Sequence, residues 1–331
     1  MDILTHAALG AAAAAAIAPR RETRAAALAG ALAGMLPDAD ILITSSSDPL
    51  LNLEFHRHFT HALAFVPVGA AVAAGLLRLG LPAYVTFRRL YAYAFLGYIL
   101  AVLLDACTSY GTHLLWPFHE RTASWSIISV ADPVFSLLVM VPLGLAAAKA
   151  RAGPARVGLV LASLFLALGF VQHQRAKKLA WDLARSRGHE AERLLVKPTM
   201  GNLVLWRALY LHQGRIHVDA VRVGLPGNTR IYAGENAPLL DPRRDPGLPP
   251  GSRLRHDVER FAAFADGLAV RHPHRPEFIG DARYAMLPTS LEPLWGIVID
   301  PSAPGDAVRF ETGRRLTPEI RTRFVEMLLG R

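Results

Sequence analysis

"LYAYAFLGYILAVLLDA", residues 90–106, runs apolar from end to end until it meets Asp105. A helix that crosses a bilayer needs about 20 mainly apolar residues, with a floor of roughly 17, so this stretch reads as a membrane span. Its end is the informative part. A carboxylate closing such a helix must be solvated, paired or coordinated.

Working outward, residues 62–79, 130–148 and 156–172 reach or approach the same length. Two Ala-rich stretches, 6–18 and 25–36, are shorter and read as a hairpin of packed helices around "PRRETR", where small side chains let backbones approach closely. The N-terminus has an Asp and no basic region ahead of its apolar run, so it reads as a retained first helix rather than a cleaved signal. The 331 residues are 52% hydrophobic with a mean hydropathy of +0.26, but the apolar residues concentrate before residue 172. The expected fold is mainly α: a polytopic helical membrane domain of about six segments over 1–172, followed by a soluble α+β domain over 173–331.

The net charge of +9 does not point to nucleic acid, because Arg and Lys fall in short clusters between apolar segments and through a Pro-rich tail. Arg20, Arg21, Arg24, Arg78, Arg88, Arg89, Lys149, Arg151 and Arg156 fall on one side of the segments, and Arg57 and Arg121 on the other. The first side is expected to be cytoplasmic, which places the tail on the extracytoplasmic side of an inner (plasma) membrane. The single Cys107 excludes a disulfide framework and a Cys-rich zinc site.

In the tail, residues 203–223 read as two strands around Gln213-Gly214, 253–270 has helical spacing, and "TPEIRTRFVEMLLG" reads as a capped final helix. "DARYAML" and "LWGIVID" read as short strands, and "RHPHRP" as a solvated loop. Trp206, Tyr210, Phe261 and Trp295 are expected in the core. Neither a Gly-rich phosphate loop in its strand–turn–helix setting nor a G-x-S-x-G nucleophile elbow occurs.

The polar residues within or beside the spans share one end. His6 opens the first, Asp38 and Asp40 close the second, His56, His58 and His61 precede the third, Asp105 closes the fourth, and Asp132 opens the fifth. Under the topology read from basic residues alone, all lie at extracytoplasmic ends. Imidazoles with carboxylates suit Zn²⁺, and carboxylate oxygens suit Mn²⁺, so a divalent metal is the expected cofactor, Zn²⁺ or Mn²⁺ first. Arg57 can hold an anionic group bidentately. Taken singly, each residue has a plainer reading: Asp40 suits a helix cap, Asp132 before Pro133 suits a helix start, and Arg57 and the histidines suit an interface.

These residues carry a resemblance. "LTHAALG" (4–10), "LPDAD" (36–40), "HRHFTH" (56–61), "LLDACTSYGTHLLWPF" (103–118) and "ADP" (131–133) resemble the membrane-bound metal-dependent hydrolases, the YdjM-like inner-membrane proteins, and "GDARYAML" and "LWGIVID" look like elements of that family's long members. The resemblance implies that His6, Asp38, Asp40, His56, His61, Asp105 and Asp132 are metal ligands or acid/base groups, with Asp40 or Asp105 as base where not bound to metal. It implies hydrolysis; the position of the residues at the interface points to a lipid or lipid-linked phosphoester or ester as substrate. The alternative is a non-enzymatic metal-binding or transport protein.

Overall fold

The computed structural model describes residues 1–80, 84–225, 227–303, 305, 307–314 and 316–331. The chain forms two compact units, one comprising Met1–Leu42, Phe55–Val171 and Met200–Asn202, the other Ile43–Glu54, Gln172–Thr199 and Leu203–Arg331.

The first unit is helical. It contains α1 (Ile3–Ile17), α2 (Thr23–Met35), which tightens into a 3₁₀ stretch over Leu36–Leu42, and then, past the short α3 (Leu51–Phe55), α4 (Val66–Arg78), α5 (Phe87–Cys107), α6 (Pro133–Lys149) and the start of α7 (Ala152–Ser186). α1 packs on α2, α5 and α6, and α5 also packs on α2 and α4. Around α1 and α2 its interior is built from small residues: Ala12, Ala14, Ala15, Ala26, Ala29 and Ala33 are fully buried, whereas Val72, Leu76, Leu137, Val141, Val160 and Leu164 face outward. Small side chains inside and large apolar ones outside is the pattern of helices packed in lipid, where close backbone approach rather than apolar bulk holds the bundle.

Among the described residues, three helices are long and apolar enough to cross a membrane: Arg20–Leu42, Phe87–Cys107 and Ala152–Ser186. Leu51–His61 and Val66–Arg78 form a pair bent by 87°, a broken span or re-entrant loop that makes a fourth. The expected span over 62–79 forms only the 13-residue α4, and the chain bends between His61 and Val66 before it begins. The expectation of about six spans is met for three or four; the other apolar stretches form Ile3–Ile17 and Pro133–Lys149, which are shorter.

The second unit is built on two four-stranded antiparallel meanders. The first joins β1 (Arg193–Pro198), β2 (Leu205–His212), β3 (Arg215–Val223) and β4 (Thr229–Pro238). Then come α8 (Arg253–Phe264), the second meander of β5 (Ala269–His272), β6 (Arg275–Asp281), β7 (Trp295–Val298) and β8 (Arg309–Thr312), and α9 (Pro318–Leu329). Gln213 and Gly214 both have positive φ, the geometry that suits a two-residue hairpin between twisted strands. α9 is capped by the Thr317 side chain and by Gly330 in the left-handed region. Trp206, Tyr210 and Phe261 are buried and Trp295 is half-buried. Two expectations need correction. "RHPHRP" is the β5–β6 hairpin rather than a free loop, and "DARYAML" is a turn that leaves β6.

Around Tyr210, the His217 ring stacks at 4.8 Å and His189 lies 4.4 Å from His212 and 4.8 Å from His217. Arg187 faces them but pairs with Asp219. Burial first, then the charges of His189 and Arg187, lower the His217 pKa below its ordinary value. A histidine with a lowered folded pKa stabilises the fold while neutral, so the contribution is full above about pH 6.5 and falls as pH drops through that value. Full-length protein is expected to lose stability between about pH 7 and 5, with the loss reduced in His217→Gln. Tryptophan-monitored melts with equal pH slopes in both proteins would contradict this.

Candidate metal centre

His6 sits on the second turn of α1, where the Asp2 side chain accepts the Thr5 amide and fixes the helix start. Gly34, near the end of α2, comes so close that a Cβ on it would lie 2.8 Å from the His6 carbonyl oxygen. That approach sets the 3₁₀ stretch carrying Asp38 and Asp40 beside α1. Arg57 has a positive φ of 61°, an uncommon conformation for a side chain of its size that clusters at functional sites. Its amide donates to Asp40 Oδ2 at 2.7 Å. His61 ends a 3₁₀ turn whose preceding Thr60 carbonyl accepts from the Tyr98 hydroxyl at 2.7 Å. Asp105 lies in the last turn of α5.

These elements bring four of the expected residues into one inner group. His61 Nε2 lies 3.0 Å from Asp105 Oδ2 and 3.5 Å from Asp38 Oδ1, and His6 Nε2 lies 3.2 Å from Asp105 Oδ1. His6 Nδ1 pairs with Asp38 Oδ2 at 2.9 Å. His6, His61 and Asp105 are completely buried. Yet His6 Nε2, His61 Nε2 and Asp105 Oδ2 have no hydrogen-bond partner, although they crowd together. Buried polar atoms without partners are costly. Ligand bonds of about 2.0–2.2 Å place tetrahedral ligand atoms about 3.3–3.6 Å apart, close to the spacing these atoms already have. His6, Asp38 and Asp105 each offer one ligand atom within 4.8 Å of the others. The residues present fit a divalent cation.

Asp40 and His56 form an outer pair. Asp40 Oδ1 meets His56 Nδ1 at 2.9 Å, and Oδ2 accepts from the Arg57 amide and the Thr60 hydroxyl and lies 3.3 Å from His61 Nδ1. A carboxylate behind the far nitrogen of an imidazole fixes the ring and its tautomer, the usual support for a metal-binding histidine. Asp40 thus sits behind His61. Arg57 Nη2 contacts Asp105 Oδ1 at 2.8 Å and Nη1 donates to Thr108 at 2.8 Å, leaving Nε unpartnered. The Met1 amino group also reaches Asp105.

The structure does not bring Asp132 into this group. It caps α6, its Oδ1 accepting from the Phe135 amide at 3.0 Å. Its plainer sequence reading, a helix start before Pro133, describes its place. His58 turns toward His113, with ring centroids 4.5 Å apart, and toward Trp116. Sequence reasoning did not single out Thr60, which joins Asp40 to His61, or Tyr98, which anchors Thr60. A threonine inside "HRHFTH" was a weak signal; a tyrosine in an apolar span gave none.

No curated protein and no solved structure matches the chain. The profile of the YdjM inner membrane protein family matches residues 1–176, a stretch that carries every member of the inner and outer groups and ends within α7. With a matched segment that covers more than half of its length, the chain belongs to the YdjM inner membrane protein family.

Proposed function

We propose that the protein is a membrane-bound metal-dependent hydrolase whose ion lies between His6, Asp38, His61 and Asp105, acting on a lipid-linked phosphoester or ester at the membrane interface. The observation that carries this reading is the convergence of three buried, unpartnered ligand atoms, His6 Nε2, His61 Nε2 and Asp105 Oδ2. A bound Zn²⁺ or Mn²⁺ supplies Lewis-acid activation of a phosphoryl or acyl oxygen and of the attacking water.

The chain's own residues do the rest. Asp40 holds the His61 ring from behind. The Asp40–His56 pair, whose imidazole is 26% exposed, is suited to move a proton between the site and solvent. Arg57, braced by Asp105 and Thr108, keeps Nε for an anionic oxygen of the substrate. The excess of Arg and Lys at the opposite helix ends favours an extracytoplasmic site reached by α1 and α6 as additional spans, six in all. A lipid-linked substrate fits a site at the end of spanning helices, where the bilayer delivers it directly.

Arg57→Lys keeps a charge but loses the planar fork. It is expected to retain metal while kcat/KM toward a lipid phosphoester falls about 10- to 100-fold, the weight of one or two hydrogen bonds to a charged group. Unchanged turnover, measured in detergent micelles, would remove Arg57 from the mechanism. In the second reading, a non-enzymatic metal-binding or transport protein, buried acids should continue toward the other membrane face. Glu22, buried at the start of α2, is engaged by Tyr93 and Arg89, and so favours the one-sided site. Turnover without metal flux across proteoliposomes supports the hydrolase; flux without turnover supports the carrier.

A further inference from the structure

Among the described residues, the second unit buries three basic side chains close together and gives them one buried carboxylate. Lys197 and Arg207 are cross-strand partners on β1 and β2, so their side chains leave the sheet on the same face. Arg283 follows β6. Lys197 is 7% exposed, Arg207 3% and Arg283 8%. Asp281, fully buried, is taken by Arg283 through contacts of 2.7–3.0 Å. Arg207 donates to the carbonyl oxygens of Ala282, Leu287 and Pro288, and so staples the turn of "GDARYAML" to the sheet. Tyr284 of that turn covers Lys197, whose Nζ lies 3.1 Å from the ring centroid, and packs 4.3 Å from Trp295.

Three donors are left over. Lys197 Nζ, Arg207 Nε and Trp295 Nε1 are buried without a hydrogen-bond acceptor. Burying an ammonium with no acceptor destabilises a fold, and methionine would fill the same space without that cost. An unpartnered set made only of donors, in a cluster of three cations and one carboxylate, calls for an anion rich in acceptor oxygens.

We propose that this cluster is a binding site for a phosphate-like dianion, seated on Lys197 and Arg207 beneath the turn that carries Tyr284. Phosphate oxygens supply acceptors for both free donors, Lys197 Nζ and Arg207 Nε. Burial first, then Arg283 and Arg207, hold the Lys197 pKa well below that of an ordinary lysine. A bound dianion reverses that balance, so binding should take up a proton. The site lies in the sheet-bearing unit and stands independently of the metal centre.

The test uses full-length protein in detergent with a chelator present, which removes metal-bound phosphate from consideration. Thermal melts are compared in inorganic phosphate, in short-chain phosphatidic acid, and in chloride at equal ionic strength. Wild type is expected to melt higher with a phosphate probe. Stabilisation by inorganic phosphate identifies a soluble phosphate as sufficient, and stabilisation by the lipid alone identifies a lipid headgroup as the source. Lys197→Met is expected to melt no lower than wild type in chloride and to lose the phosphate shift, with apparent affinity at least about tenfold weaker, as for a lost hydrogen bond to a charged group. Lys197→Gln keeps a polar head without the charge and should reduce the shift, which preserves the test if Lys197→Met does not fold. No stabilisation of wild type by either probe, or an equal shift in every variant that folds, would overturn the proposal.

Discussion

Replacing His61 with alanine is expected to weaken metal binding by at least about 100-fold and to abolish hydrolysis, while the helices still insert and fold. His61 touches both inner carboxylates, Asp38 and Asp105, through Nε2 alone, and is backed by Asp40 through Nδ1. Its loss removes a ligand and leaves two acids facing each other, so the variant should also tolerate acid better than wild type in melts without metal. The readouts are metal per chain after gel filtration, turnover of a lipid phosphoester, and elution volume. A folded variant that keeps metal and turnover would remove His61 from the site.

The second large effect lies away from the chemistry. Gly10, Gly30 and Gly97 form a crossing of α1, α2 and α5 in which a Cβ on Gly10 or Gly97 would overlap the Gly30 carbonyl, and one on Gly30 would overlap that of Gly10. His6 lies one turn from Gly10, Asp38 two turns from Gly30, and Asp105 two turns from Gly97. Gly30→Val forces these helices apart. The expected cost is roughly 3 kcal/mol or more, with loss of folded protein in detergent and of metal in whatever remains folded. Gly75→Val on α4 is the matched control, because nothing lies within 4 Å of a Cβ there; it should stay within about 0.5 kcal/mol of wild type. Equal stability of the two variants would mean that the glycine crossing does not position the site.

Much of this site was legible because its residues break a pattern. Asp105 ends an apolar span and His56, Arg57 and His61 stand at the entrance of another, so physical cost alone marked them. Asp132 broke the pattern in the same way, but it caps α6, which a one-dimensional reading cannot distinguish from coordination. The roles of Asp40 and Asp38 also lay beyond the sequence: two residues apart in one turn, one faces the inner group and the other the back of His61, and only the 3₁₀ geometry separates them. Spans were legible where length sufficed, as in α5, and misread where the chain bends, as before α4. The 43–54 excursion into the second unit carries no compositional signal. In the sheets, alternation and the Gln213-Gly214 turn revealed β2 and β3, whereas β4, almost wholly exposed, lacks the alternation that marks a strand.

Elemental analysis of the wild-type protein decides whether the inner group holds a divalent ion. The protein is purified in detergent without chelators after growth with zinc and manganese, then dialysed against metal-free buffer. About one ion per chain is expected, since the inner residues converge on a single position, and its loss is expected in a folded His6→Ala, His61→Ala, Asp105→Ala variant. Wild type free of metal after that treatment, or a variant that keeps its full complement, would contradict it.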